Sequence, residues 1–236
     1  MIDMDTRRRV ARGIAPTETA AHREVFETFK QRGHPDAPPP TVSDGWGGVD
    51  EAMVRVYGQV PPYGGRGRPP TRKQPQAGWH YLQVVKQRDA HGRLLGTRLQ
   101  VMYGKPHAVL ALFGRSTAYI ERTHLTMRHF NSRLTRKTLA FSKSLAMYRA
   151  SAAWEEAVYN WARPLKTLRR RVSRQPGRRW QARTPAMAAR LTDHVWTVRE
   201  LLTMVVLPNT YEGDHLKIRL GKKSTSAYGV AAEDVA

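Results

Sequence analysis

One carboxylate stands alone among positive charges in the segment 120–128. Glu121 is the only acid between Asp89 and Glu155. The cations closest to it in sequence are Arg115, Arg122, Arg128, Arg133, Arg136 and Lys137. Such a glutamate is either a surface residue held in a salt bridge or a metal ligand on a helix whose other side chains bind polyphosphate. Spacing alone leaves both interpretations open and favours the salt bridge.

Asp44 is the second acid with a suggestive position. It follows the run 41–43, which predicts a short strand, and it precedes Gly45. Acids at strand ends are common both in turns and in catalytic sites. Converging carboxylates can hold Mg²⁺ or Mn²⁺ ions that promote phosphoryl transfer. Asp44 and Glu121 lie far apart in the chain, so only a fold could bring them together.

Composition narrows the class of partner. The 236 residues contain 40 Lys and Arg against 19 Asp and Glu, which gives a net charge of +21. This excess predicts a polyanionic partner, with nucleic acid the first candidate and an anionic membrane surface a weaker one. The absence of cysteine excludes disulfides and thiolate zinc sites. With no apolar run long enough to span a bilayer and no signal peptide, we expect a cytoplasmic, nucleoid-associated protein.

The hydrophobic pattern predicts alternating helices and strands. Helices are predicted at 17–29, capped by Thr17 and ended by Gly33, at 49–56, from caps Ser116 and Thr117 onward, and at 145–161 up to Pro164. Strands are predicted at 7–14 and 41–43, and a hairpin at 80–85 and 94–102. In the 145–161 helix, Tyr148, Trp154, Val158 and Trp161 are expected in the core. Asp193 is expected to cap a last short helix.

Two segments carry basic residues and no acid. Residues 58–78 contain five glycines, five prolines and four Arg or Lys, which predicts a flexible loop. Residues 163–183 carry nine Arg or Lys, which indicates either a solvated segment or a phosphate-binding tract. We therefore divide the chain into a core at 1–162 with an insert at 58–78, a basic tract with short helices at 163–207, and a disordered tail at 208–236.

Several blocks of the sequence resemble transposases of the insertion sequence one family. The matching residues are TVSDGW at 41–46, IER at 120–122 with Leu125 and Arg128, RLTRKTLAFSK at 133–143, YNWARP at 159–164, TLR at 167–169, RTPAMA at 183–188 and TDHVW at 192–196. The resemblance covers roughly the first 202 residues. It implies an α/β ribonuclease-H-like fold, a mixed sheet flanked by helices, with a basic helical C-terminal extension.

The resemblance also implies a function and site residues. By the motif match, Asp44 is the second and Glu121 the third acid of a DDE triad that binds Mg²⁺ or Mn²⁺. The implied activity is DNA strand cleavage and transfer at transposon ends, in double-stranded DNA. The residues expected to contact DNA are Arg122, Arg128, Arg133, Arg136, Lys137, Lys143, Arg169, Arg170 and Arg171.

The sequence departs from the family pattern at informative points. His124 stands where the family usually has Asn. The family's first acid lies on a strand before the segment that matches Ile2 and Asp3, so we expect the first strand and its acid to be missing. The chain then reads as a truncated or split transposase, paired with a second copy or with an upstream half. The alternative is a non-catalytic remnant that binds nucleic acid through its basic surface.

Overall fold

The protein is a mixed α/β chain. The computed structural model describes residues 1–65, 67–112, 118–135, 137–172 and 179–204. The helices are α1 Glu18–Arg32, α2 Gly48–Tyr57, α3 Pro106–Leu112, α4 Ala118–Phe130, α5 Leu145–Ala157, α6 Pro185–Ala188 and α7 Val198–Thr203. The strands are β1 Thr41–Asp44, β2 Tyr81–Arg88, β3 Leu94–Tyr103, β4 Arg170–Arg171 and β5 Trp180–Gln181. None of these helices is both long and apolar enough to cross a bilayer within the described ranges.

The main sheet has three strands in the order β1-β2-β3. β1 runs parallel to β2, and β2 runs antiparallel to β3, so the sheet is mixed. The predicted hairpin is confirmed: Asp89 Oδ1 accepts hydrogen bonds from the backbone N–H of His91 and Arg93, and Gly92 adopts φ +79°. The predicted strand before Asp44 is confirmed as well.

The sheet is covered on both faces. On the face that carries Tyr81, helices α1 and α2 supply Phe26 and Met53 to the larger buried cluster. On the opposite face, Leu82 packs with Val109 of α3 in a smaller cluster. Because side chains alternate along a strand, residues of β2 at even positions share the face of Leu82. That second face is the one on which the candidate site lies.

The predicted strand at 7–14 is wrong. Residues 1–11 form an N-terminal strap with a single antiparallel bridge between Ile2 and Arg9. Arg7 adopts φ +60°, which interrupts an extended conformation. The backbone of Arg9 is occupied by a side chain: its N–H donates to Asn160 Oδ1 at 3.0 Å, and its C=O accepts from Asn160 Nδ2 at 2.9 Å. A neighbouring strand would need the same groups.

The helix ends are set by local chemistry, with one correction. Thr17 caps α1 and Gly33 ends it, as predicted. Asp193 does not cap the last helix. Thr197 does, because its side chain accepts from the Glu200 N–H while the Glu200 carboxylate accepts from the Thr197 N–H, a capping box. The predicted caps of α4, Ser116 and Thr117, lie outside the described residues.

The long helix predicted at 145–161 changes its winding. The α-helix ends at Ala157 and is followed by a π-helical turn, Val158–Ala162, which stops before Pro164. Trp154 is 42% exposed, so its predicted place in the core is wrong. Trp161 is half-buried and packs against Trp196, with ring centroids 4.5 Å apart and ring planes tilted by 49°.

The insert at 58–78 is tied at its ends. Gln59 and Gln74 form an antiparallel bridge with reciprocal backbone hydrogen bonds of 3.0 and 2.8 Å. Lys73 Nζ donates to the Arg55 carbonyl at 2.8 Å. The bridge therefore closes residues 59–74 into a loop, which connects the end of α2 to the start of β2.

Candidate functional site

Asp44 lies at the carboxyl end of β1, with its side chain exposed. In the parallel ladder it pairs with Val84 of β2. Its Oδ1 accepts a long hydrogen bond of 3.4 Å from the Trp46 N–H. The strand end thus holds the carboxylate at the sheet edge and leaves most of its lone pairs facing solvent.

Glu121 lies in the first turn of α4 and forms an ion pair. Lys86 Nζ lies 2.9 Å from Glu121 Oε1, with the two side chains 46% and 57% exposed. Glu121 is therefore held in a salt bridge, which is the first of the two interpretations of its sequence position. Exposed pairs of this kind contribute about 0–1 kcal/mol to stability, so Lys86 is a displaceable neighbour.

Asp44 and Lys86 share one face of the sheet. Asp44 pairs with Val84, and Lys86 follows Val84 by two positions, so the three side chains project to the same side. The ion pair between Lys86 and Glu121 then brings the start of α4 to that side. The two acids named from the sequence are linked through Val84 and Lys86.

His124, one helical turn after Glu121, senses the same surroundings. Partial desolvation of the imidazole is the largest cause that lowers the pKa of His124, and the positive charges of the N-terminal ammonium, Arg128 and Arg9 lower it further. The negative charge of Asp44 acts in the opposite direction and raises the pKa of His124.

A buried polar network supports β1 from the other face. Tyr81 OH lies 2.8 Å from Ser43 Oγ and 2.9 Å from Gln83 Nε2. Tyr103 OH donates to Asp50 Oδ1. Burial raises the pKa of Tyr81 and of Tyr103, so both phenols remain protonated near neutral pH. The contact between Tyr81 and Ser43 helps to fix the strand immediately before Asp44, and the contact between Tyr103 and Asp50 joins β3 to α2.

The donor type at the candidate site suits a hard cation. Mg²⁺ and Mn²⁺ prefer oxygen ligands, and Asp44 and Glu121 both offer exposed carboxylates. Across the described ranges, no three His, Asp or Glu side chains form a metal-ligand group. The two acids would therefore supply only part of the shell of an ion held between them.

The expected DNA-contacting residues fall into two surfaces. The first follows α4: Arg122 and Arg128 are exposed, Arg133 is half-buried with Nη1 donating to Ser142 Oγ at 2.9 Å, and Lys137 and Lys143 are exposed. Arg136 lies outside the described residues. The second surface is the exposed run of Arg169, Arg170 and Arg171 at β4.

Sequence reasoning missed the residues that fasten the strap beside α4. Arg9 is buried, pairs with the buried Glu155 of α5, and stacks on Tyr159 with Cζ 3.8 Å from the ring centroid. Asn160 holds the backbone of Arg9 from the π-turn. An arginine in a weakly alternating run carries no signal of burial, because its glutamate partner lies 146 positions away.

No protein-family model, no curated protein and no solved structure matches this chain. A function for the chain rests on its own residues and their geometry.

Proposed function

We propose that this chain is the core of a DDE-type insertion sequence transposase with a ribonuclease-H-like fold. The observation that carries the proposal is the face shared by Asp44 and Lys86, with Glu121 bound to Lys86. The two sequence blocks that contain Asp44 and Glu121, at 41–46 and 120–128, resemble one transposase family. The mixed sheet, with Asp44 at a strand end and Glu121 on a helix, agrees with that assignment.

Asp44 and Glu121 would hold a Mg²⁺ or Mn²⁺ ion. When bound, such an ion activates an attacking oxygen and stabilises a leaving oxygen in phosphoryl transfer. The chain's own contribution is positioning. The hydrogen-bonded Ser43 and Tyr81 fix the strand that carries Asp44, and α4 presents Glu121. The basic residues of α4 would hold the phosphates of the DNA strand next to these carboxylates.

Mn²⁺ binding, measured by electron paramagnetic resonance, tests this proposal. We expect weak binding, because two carboxylates leave much of the ion's shell to water. Asp44→Asn and Glu121→Gln should each reduce binding about tenfold or more, since each removes a negative ligand. Asp36→Asn is the matched control, because Asp36 is an exposed acid in the loop before β1. Equal losses in all three variants would contradict a site at Asp44 and Glu121.

Cleavage gives the second readout. Metal-dependent nicking by this chain should be near background, because a two-ion site needs a third converging acid, which the described residues do not group with these two. Filter binding of duplex DNA should be nearly unchanged by Glu121→Gln, which keeps the basic surface. Robust nicking by the chain would refute the expectation that these two acids form an incomplete site.

The alternative function is nucleic-acid binding without catalysis. The ion pair between Lys86 and Glu121 favours it, because the lysine neutralises the carboxylate that would hold a metal. Lys86→Met distinguishes the two functions. In a metal site, removal of the competing charge should raise Mn²⁺ affinity several-fold, whereas Lys105→Met, an exposed control, should not. If the unaltered protein and Lys86→Met both bind DNA and neither binds Mn²⁺, the alternative is supported.

A further inference from the structure

Trp180 is an exposed aromatic residue in a wholly basic segment. It is 43% exposed, and the sequence contains no acid between Glu156 and Asp193. A large part of this apolar side chain therefore remains in contact with water. Trp and Arg together are the residues that proteins use to stack on nucleic-acid bases.

The ring is mounted on a short hairpin of arginines. β4 and β5 pair antiparallel, with Arg171 opposite Trp180. The guanidinium of Arg169 lies over the indole, with Cζ 4.3 Å from the ring centroid. Arg170 is exposed too, but it is paired with Gln181 and therefore projects to the opposite face of the hairpin. None of the salt bridges within the described ranges engages the arginines of this hairpin, namely Arg169, Arg170, Arg171 and Arg179.

The base of the hairpin is fixed to the fold. The Leu165 N–H donates to the Arg183 carbonyl at 3.0 Å. Directly after Arg183, Thr184 and Ala186 are fully buried, and Thr184 Oγ1 caps α6 by accepting from the Met187 N–H at 3.2 Å. The exposure of Trp180 is therefore a property of a hairpin that is anchored at its base.

We propose that Trp180 and Arg169 form a stacking platform for an unpaired base of single-stranded DNA. Arg171, which is paired with Trp180 and shares its face of the hairpin, would hold a phosphate next to that base. Bases in a duplex are already stacked on one another, so the platform discriminates for single-stranded or locally opened DNA. The choice of DNA as the partner rests on the proposed function, but the platform itself requires neither the metal nor cleavage.

Two oligonucleotides of equal length separate stacking from phosphate contact. One is oligothymidylate, and the other is its abasic counterpart, which keeps the phosphates and lacks the bases. Trp180→Ala should weaken binding of oligothymidylate about tenfold and leave binding of the abasic strand unchanged, by fluorescence anisotropy. Trp180→Phe should keep most of the affinity, because it keeps an aromatic face.

Trp154→Ala is the matched control, since Trp154 is 42% exposed on α5, outside the basic tract. It should bind both strands as the unaltered protein does. Circular dichroism checks that the variants fold, and Trp180→Leu, which keeps an apolar side chain and removes the aromatic face, replaces Trp180→Ala if that variant does not fold. Equal weakening of both strands by Trp180→Ala would overturn the platform.

The same assay separates failure of the platform from failure of the proposed function. If Trp180 dependence is found but oligouridylate RNA binds more tightly than oligothymidylate, the commitment to DNA is overturned. If Mn²⁺ binding at Asp44 and Glu121 fails while the abasic comparison succeeds, the transposase assignment fails and the platform stands. If Trp180→Ala weakens the binding of both strands equally while Mn²⁺ still binds at Asp44 and Glu121, the platform is refuted and the proposed metal site stands.

Discussion

The pKa values of two histidines in this protein are shifted in opposite directions by their surroundings. His194 lies between two carboxylates, with Nδ1 2.6 Å from Asp193 Oδ1 and Nε2 3.0 Å from Glu200 Oε1. The hydrogen bonds to Asp193 and Glu200 raise the pKa of His194. Partial desolvation, together with the positive charges of the N-terminal ammonium, Arg128 and Arg9, lowers the pKa of His124. The surroundings therefore favour the charged form of His194 and the neutral form of His124.

The signs lead to a prediction on stability. The stabilisation from His194 is present below its unfolded pKa of about 6.5 and is lost as pH rises through its folded pKa. The lowered pKa of His124 means that the fold prefers neutral His124, so stability is lost as pH falls below about 6.5. His124→Asn, which places an uncharged residue there, should reduce the loss of Tm on the acid side.

Nuclear magnetic resonance titration of the imidazoles provides the direct measurement. The resonance of His124 should titrate below that of an unfolded-state histidine, and the resonance of His194 above it. His194→Gln is the control for the thermal measurement, because it should lower the Tm on the acid side, where protonated His194 stabilises the fold, whereas His124→Asn should raise the Tm there. Coincident titration of the two imidazoles would contradict the different surroundings described for them.

At the scale of elements, the N-terminal strap is joined to α5 and the π-turn by a buried ion pair. Arg9 is 4% exposed and Glu155 is 8% exposed. One guanidinium nitrogen binds the glutamate, while Nε and Nη2 of Arg9 are buried without a partner within the described structure. Breaking such a pair leaves an uncompensated charge in a site with little water.

Arg9→Met or Glu155→Gln should therefore destabilise the protein by about 3–5 kcal/mol, measured by urea unfolding. The matched control is Arg23→Met, which removes the exposed pair with Glu27 one turn along α1. That change should cost about 0.3–0.5 kcal/mol. The double variant of Arg9 and Glu155 to apolar residues should recover part of the loss, because no charge then remains buried. Similar losses for the buried and exposed pairs would refute this account.

Elements governed by local chemistry could be predicted from the sequence. The Thr17 cap, the turn at Asp89 to Gly92 and the strand before Asp44 depend on residues within a few positions of one another, and all three are present. The strap could not be predicted, since Asn160 from a distant turn takes the hydrogen bonds of Arg9. The pairing of Glu121 with Lys86 also joins distant segments, so the sequence left its two interpretations open.

At the scale of the whole molecule, charge dominates the expected behaviour toward nucleic acid. The net charge is +21, and the exposed arginines of β4 add a concentrated patch to it. Each phosphate neutralised by a cation releases about 0.9 counterion, so affinity for duplex DNA should fall steeply with salt. Contacts to phosphate position the protein and carry no sequence information, so the salt dependence should be similar for unrelated duplexes.

Replacement of Arg169, Arg170 and Arg171 together by Ala should weaken binding to all duplex sequences alike. The slope of log affinity against log salt should fall by about 2–3 units, one for each lost phosphate contact. The triple Lys variant is the control, because it keeps the charge and should keep the slope. A flat salt titration of the unaltered protein would remove the electrostatic argument. A sequence-dependent loss in the Ala variant would mean instead that these arginines contact base edges, which would assign to β4 a part in choosing the DNA site.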